Sequence, residues 1–136
     1  MSSSEVPLSV VAAVVKSSQG VLLARRSAGN LKGFWEFPGG KIEDGETHQA
    51  ALAREVREEL GVECSVGRFL GESEHTGAHR SVRLFFYLCE LRGMPQAGDS
   101  HDAIAWVRGG EWRKLPVAPA DVPILELLMD ESPALA

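Results

Sequence analysis

Leu8 to Val15 is an apolar run, LSVVAAVV, interrupted only by Ser9. A β-branched run of this length predicts a buried strand. Ser17-Ser18-Gln19-Gly20 is turn chemistry, and Val21 to Arg26, VLLARR, predicts the returning arm of a hairpin. Ser27 to Gly33 reads as a loop. Phe34-Trp35-Glu36-Phe37 reads as a short strand that Pro38-Gly39-Gly40 breaks. From about Glu46 to Leu60 the chain turns to Ala, Leu, Arg and Glu, without Pro or internal Gly, and predicts a helix. Thr47 suits its N-cap and Gly61 its C-terminal stop. Strands are expected over Val62–Ser73, Ser81–Leu91 and Ala103–Val107, with loops at Glu74–Ala78 and Arg92–Asp102. Gly109–Lys114 reads as a turn or short helix and Pro116–Pro119 as extended chain. Ala120–Met129 predicts a second helix, with Pro123 tolerated in its first turn. Strands, helix, strands, helix, without regular βαβ alternation, indicate an α+β fold.

The 136 residues suffice for one domain with a real core, and nothing divides them, so a single domain over 1–136 is expected. The net charge of −5 argues against a protein that tracks polymeric nucleic acid. Cys64 and Cys89 lie far apart in sequence, with no CxxC, and read as small buried residues of a reducing cytoplasm. MSSSEVP has neither the basic nor the apolar part of a signal peptide, and no apolar run reaches membrane-span length.

The helix carries the candidate chemistry. At about 100° per residue, Leu52, Ala53, Val56 and Leu60 form one apolar stripe. Glu55, Glu58 and Glu59 form an acidic face beside it. Like charges at this spacing repel, so a hard divalent cation is a natural companion, although three glutamates also suit a solvated face. The surroundings weigh on that choice. Gly40, Glu46, Arg54, Glu55, Val56, Glu58, Glu59, Gly61 and Val62 fit G-x5-E-x7-R-E-U-x-E-E-x-G-U, with U aliphatic. At average residue usage, chance agreement is on the order of one in a billion per starting position.

This stretch resembles the signature of the Nudix hydrolases, without a substitution. The resemblance implies an α/β/α sandwich with a mixed central sheet and cleavage of a nucleoside diphosphate linked to another group. It implies Mg²⁺, with Mn²⁺ as a substitute, held by Glu55, Glu58, Glu59 and the Gly39 or Gly40 carbonyls. Glu55 and Glu58 are the catalytic candidates: Glu55 to orient or deprotonate the water, Glu58 as the most central ligand. Glu46 and Arg54 take the places of a salt bridge that holds the loop to the helix. Some members recruit a further acidic residue before the late Trp strand. Ser100 stands there, flanked by Asp99 and Asp102, either of which could add a ligand; the adjacent His101 is near enough to be of interest, with a surface histidine as its default reading.

The flanks, LLARRSAGNLKGFWEFPGGKIEDGE and Leu115 to Ile124, are similar to the MutT-type triphosphate pyrophosphohydrolases and to their CTP and modified-cytosine branch. The implied reaction turns a (d)NTP into (d)NMP and pyrophosphate, removing 8-oxo-dGTP or a CTP-like or 5-methyl-dCTP-like nucleotide. Arg26 matches a phosphate-binding Arg, Lys41 follows the glycines, and Arg80 falls near the base. Asp121 stands where MutT has an Asn that bonds oxidised guanine. An ionised Asp only accepts, which favours the cytosine amino group, whereas a protonated Asp also suits 8-oxoguanine. Asp121 also suits a cap for the last helix. The expected partner is a small nucleotide, with no nucleic acid or membrane, and the assembly a monomer or dimer. Two alternatives stand beside this reading: hydrolysis of ADP-ribose or another nucleoside diphosphate-X, and a silent nucleotide-sensing domain.

Overall fold

The computed structural model describes residues 6–76 and 80–130. Residues 1–5, which open the stretch read for a signal peptide, lie outside that range, as do Gly77 and Ala78 of an expected loop. The strands are β1 (Leu8–Ser17), β2 (Gly20–Arg26), β3 (Trp35–Glu36), β4 (Gly39–Lys41), β5 (Cys64–Thr76), β6 (Ser81–Leu91) and β7 (His101–Val107). The α-helices are α1 (His48–Leu60) and α2 (Val122–Asp130).

β1 and β6 run parallel through eight residue pairs, while β5 lies antiparallel to β6. β1 and β2 pair only beside their turn, at Lys16–Val21 and Ser17–Gly20. Beyond that point they diverge. β4 fills the β1 side of the gap and β3 the β2 side, and β7 covers the other edge of β2. The alternation of β1 splits its side chains between two cores. Val11, Ala13 and Val15 pack with Ala51, Leu52, Val56 and Leu60 of α1. Ala12 and Val14 pack with Phe37, Ile124, Leu125 and Met129 on the α2 side. The result is the expected α+β sandwich, two helical layers about a mixed sheet.

The predicted caps of α1 are present. Thr47 accepts from the Ala50 N–H at 3.0 Å, and Gly61 ends the helix in the left-handed region. The buried stripe is rotated from the expected one: Ala51 is buried and Ala53 only half-buried. Four other boundaries differ. Gly39–Lys41 is a strand rather than a turn, because β1 offers an open edge at Val10–Ala12. β5 continues through the polar Glu74-His75-Thr76, where an Arg83–Glu74 ion pair and a Thr76–Ser81 hydrogen bond across to β6 outweigh weak strand propensity. β7 begins at His101, two residues earlier than expected. A 3₁₀ turn at Pro119–Asp121 precedes α2, and the expected extended piece makes one bridge, Val117 to Trp35. Cys89 is buried as expected, but Cys64 is half-buried, and both thiols are free.

Candidate active site

The gap between β1 and β2 opens into a cleft of about 560 Å³. Its walls include Arg26, Glu36, Gly39, Gly40, Lys41, Glu59, Asp99, His101 and Asp121. Because the strands part here, groups from opposite layers meet: Glu59 arrives from α1 and Asp121 from the turn before α2.

The signature loop is fastened by Arg54. Its guanidinium pairs with both oxygens of Glu46, at 2.7 and 2.9 Å, and donates to the Lys41 carbonyl at 3.1 Å. This pairing holds the Glu46 carboxyl down at about 2. The remaining terminal nitrogen of Arg54 lies 2.9 Å from Glu55 and 3.4 Å from Glu58.

The three helical carboxylates differ in depth. The Glu58 side chain is 59% exposed, Glu55 13% and Glu59 12%. The helical wheel accounts for the extremes, since Glu59 lies nearest the Leu52 azimuth and Glu58 farthest. Glu59 accepts from the Gly39 N–H at 3.1 Å. Burial, opposed by that N–H and reinforced by the Glu55 and Glu36 carboxylates, pushes Glu59 up to about 8. Gly40 faces Glu55 so closely that a Cβ there would stand 2.4 Å from its carboxyl carbon. Among the described residues, no three His, Cys, Asp or Glu side chains are already gathered as a metal cage. Glu55 is turned onto Arg54. The donor chemistry nevertheless fits a hard divalent cation: crowded carboxylates, one of them resisting ionisation, beside a glycine pair with no side chains in the way.

Two cleft residues had no role assigned from sequence: Glu36 was not singled out, and His101 was noted for its position but read by default as a surface histidine. Glu36 sits between Arg26, whose Nε lies 3.1 Å from Oε1, and His101, whose Nε2 lies 2.9 Å from Oε2. Its signal was a lone charge inside FWEF. His101 is 3% exposed, which corrects its reading as a surface histidine. In HDAIAWV it shares the strand alternation with Ala103, Ala105 and Val107, and that pattern could have placed it inward. Asp102, the next residue, pairs instead with Arg25 at 2.7 Å and does not line the cleft. Ser27 fixes the preceding loop by bonding the Asp99 and Ser100 carbonyls.

Arg26, Lys41 and Asp121 all line the cleft. Arg80 does not: its guanidinium donates to the Val6 carbonyl at 3.0 Å. Asp121 is 2% exposed, and its Oδ2 accepts from the Phe37 N–H at 2.9 Å. It therefore ties α2 to the strand before the glycines, in place of the helix cap read from sequence. Burial pushes its carboxyl up to about 8, with Phe37 N–H opposing, Glu36 adding to the rise and Arg26 opposing it.

Among the described residues, no helix is long and apolar enough to cross a membrane. The chain is 39% identical to a CTP pyrophosphohydrolase of Escherichia coli K12 over 124 residues, 90% of this chain and 91% of that protein. It is 40% identical over 116 residues to a putative 8-oxo-dGTP diphosphatase 2 of Mycobacterium tuberculosis H37Rv, 82% and 81% of the two chains. The solution structure of the E. coli ORF135 protein superposes with a TM-score of 0.82 at 38% identity, covering 94% of this chain and 92% of that one. The family model described as NUDIX domain matches residues 6–128. The chain thus belongs to the Nudix family, whose hydrolases generally use a divalent metal.

Proposed function

We propose that the chain, as a single domain over residues 1–136, hydrolyses a nucleoside triphosphate to the monophosphate and pyrophosphate. The observation that carries this reading is the layout of one cleft. The carboxylate and glycine end, Glu59 with Gly39 and Gly40, suits a polyphosphate, and buried Asp121 offers a hydrogen-bonding group for a base. A volume of about 560 Å³ suits a free nucleotide.

Glu55, Glu58, Glu59 and a carbonyl of Gly39 or Gly40 would hold Mg²⁺, or Mn²⁺ in its place. Such a cation neutralises phosphate oxygens and acidifies the attacking water. Arg26 and Lys41 supply positive charge to the phosphates. Arg54 holds Glu55 next to Gly40, so Glu55 is poised to orient the water and take its proton. The water oxygen bonds to the β-phosphorus, and the bond from that phosphorus to the α–β bridging oxygen breaks. The monophosphate leaves with the bridging oxygen, and pyrophosphate keeps the incoming one.

The base reading shifts with burial. An acceptor-only Asp121 would favour cytosine, but a carboxyl held at about 8 is largely protonated at neutral pH. A protonated carboxyl both donates and accepts, as the Asn of MutT does. Oxidised guanine therefore stands equal to cytosine as a substrate. These two classes also match the names of the relatives.

The test incubates the chain with Mg²⁺ and 8-oxo-dGTP, dGTP, CTP, dCTP, 5-methyl-dCTP or ADP-ribose, and separates the products. Monophosphate with pyrophosphate is expected. Glu59→Gln should lower kcat about a hundredfold or more. Glu58→Gln should cost about tenfold less than that, because its side chain is the exposed one. Cleavage of ADP-ribose alone would move the protein to another substrate class, and binding without turnover would make it a sensor.

A further inference from the structure

His101 presents an unusual pair of environments. Its ring is almost wholly buried, and Nε2 lies 2.9 Å from Glu36 Oε2. Nδ1 is equally buried but has no hydrogen-bond partner. On that side Glu59 Oε1 lies 3.9 Å away. A buried ring nitrogen without a partner is costly and calls for a cause. The separation is too long for a hydrogen bond. Two donors bonded at about 2.1 Å stand about 3.0 Å apart as neighbours around an octahedron, so the two side chains would close by about an ångström onto a shared ion.

The side away from Glu59 has the matching form. Histidines that bind metals usually donate their other ring N–H to a carboxylate, which fixes the tautomer and strengthens the donor. Glu36 occupies that position, itself steadied by Arg26. The neighbouring Ser100 accepts from the Ser27 N–H through its carbonyl. Asp102 is held by Arg25. The strand that could have offered a carboxylate instead turns an imidazole into the cleft.

We propose that His101 Nδ1 is a ligand to the divalent cation, alongside Glu59, with Glu36 holding the imidazole from behind. This rests on the metal-dependent reading of the same cleft. A nitrogen donor among oxygens moves selectivity away from Mg²⁺ and toward Mn²⁺ or Co²⁺.

The experiment loads the full chain with Mn²⁺ and records its electron spin echo modulation. A ¹⁴N coupling from a directly bonded imidazole is expected, and His101→Gln should abolish it. Mn²⁺ affinity should fall about tenfold or more in His101→Gln and by a similar factor in Glu36→Gln. Mg²⁺ affinity, measured by competition, should fall less. If His101→Gln does not fold, a chain carrying His48→Gln, His75→Gln and His79→Gln decides the matter, because His101 is then the last of its four histidines. Bound Mn²⁺ without that coupling overturns the proposal and leaves the carboxylate site standing. Failure to bind Mn²⁺ at all overturns both.

Discussion

Asp121 is a carboxyl sealed between a β-strand and the start of a helix, and its proton has consequences for stability. The folded chain holds it at about 8, against an ordinary value of 3.8. As pH rises from about 4 to 8, the unfolded chain ionises first, so this group costs stability through that window and no further above it. Asp121→Asn keeps an acceptor for the Phe37 N–H and removes the titration. Relative to that variant, the wild-type chain should lose unfolding free energy between pH 5 and 8, with a ceiling of about 4 kcal/mol. Denaturant titrations at pH 5, 7 and 8.5 would measure it, and parallel curves would show that Asp121 ionises freely. At this scale the sequence was readable for residue type but not for depth. Glu55, Glu58 and Glu59 were evident as a group, while their unequal burial follows from how α1 lies on the sheet. Glu36 was missed, and His101 was noted but placed at the surface, for the same reason: a charged or polar letter does not say whether a neighbouring strand will cover it.

The two glycines of β4 separate fold from chemistry within one element. A Cβ on Gly39 would stand 2.0 Å from the Val11 carbonyl oxygen, which is backbone of the central strand and cannot retreat. Gly39→Ala should therefore destabilise the chain by about 3 kcal/mol or more, lowering the melting temperature markedly. The three atoms nearest to a Cβ on Gly40 all belong to the Glu55 carboxylate, a movable side-chain end. Gly40→Ala should leave the melting temperature nearly unchanged while reducing kcat at least tenfold by displacing Glu55. Equal effects of the two substitutions on stability would contradict this division. The sequence marked both glycines but read them as a turn. Their strand form depends on the open edge of β1, which no local pattern announces. The caps of α1 were legible because capping is local chemistry within a few residues. The extension of β5 to Thr76 was not, because pairing with β6 imposes it.

Over the whole molecule, the cleft exists because β1 and β2 separate after two residue pairs and admit β3 and β4 between them. Groups from both helical layers then face one space, so ligand binding should brace the sandwich as a unit. Mg²⁺ with a non-hydrolysable triphosphate at about 100 times its Kd should add about 2.7 kcal/mol to the folded state, and a chelator should remove that gain. A thermal scan with and without chelator checks this, and an unshifted melting point would mean that the folded chain does not bind the metal–triphosphate pair. The sequence by itself determined the buried strand β1, the helix with its caps, the α+β order and the complete Nudix signature. Each depends on periodicity or spacing inside one stretch of chain. Only the tertiary structure decided that Arg80 stays apart from the cleft, that Glu36 and His101 enter it, and that Asp121 is buried deeply enough to keep its proton. Those outcomes depend on contacts between residues up to 84 positions apart, such as Phe37 with Asp121, where packing sets the dielectric and the neighbours that composition leaves open.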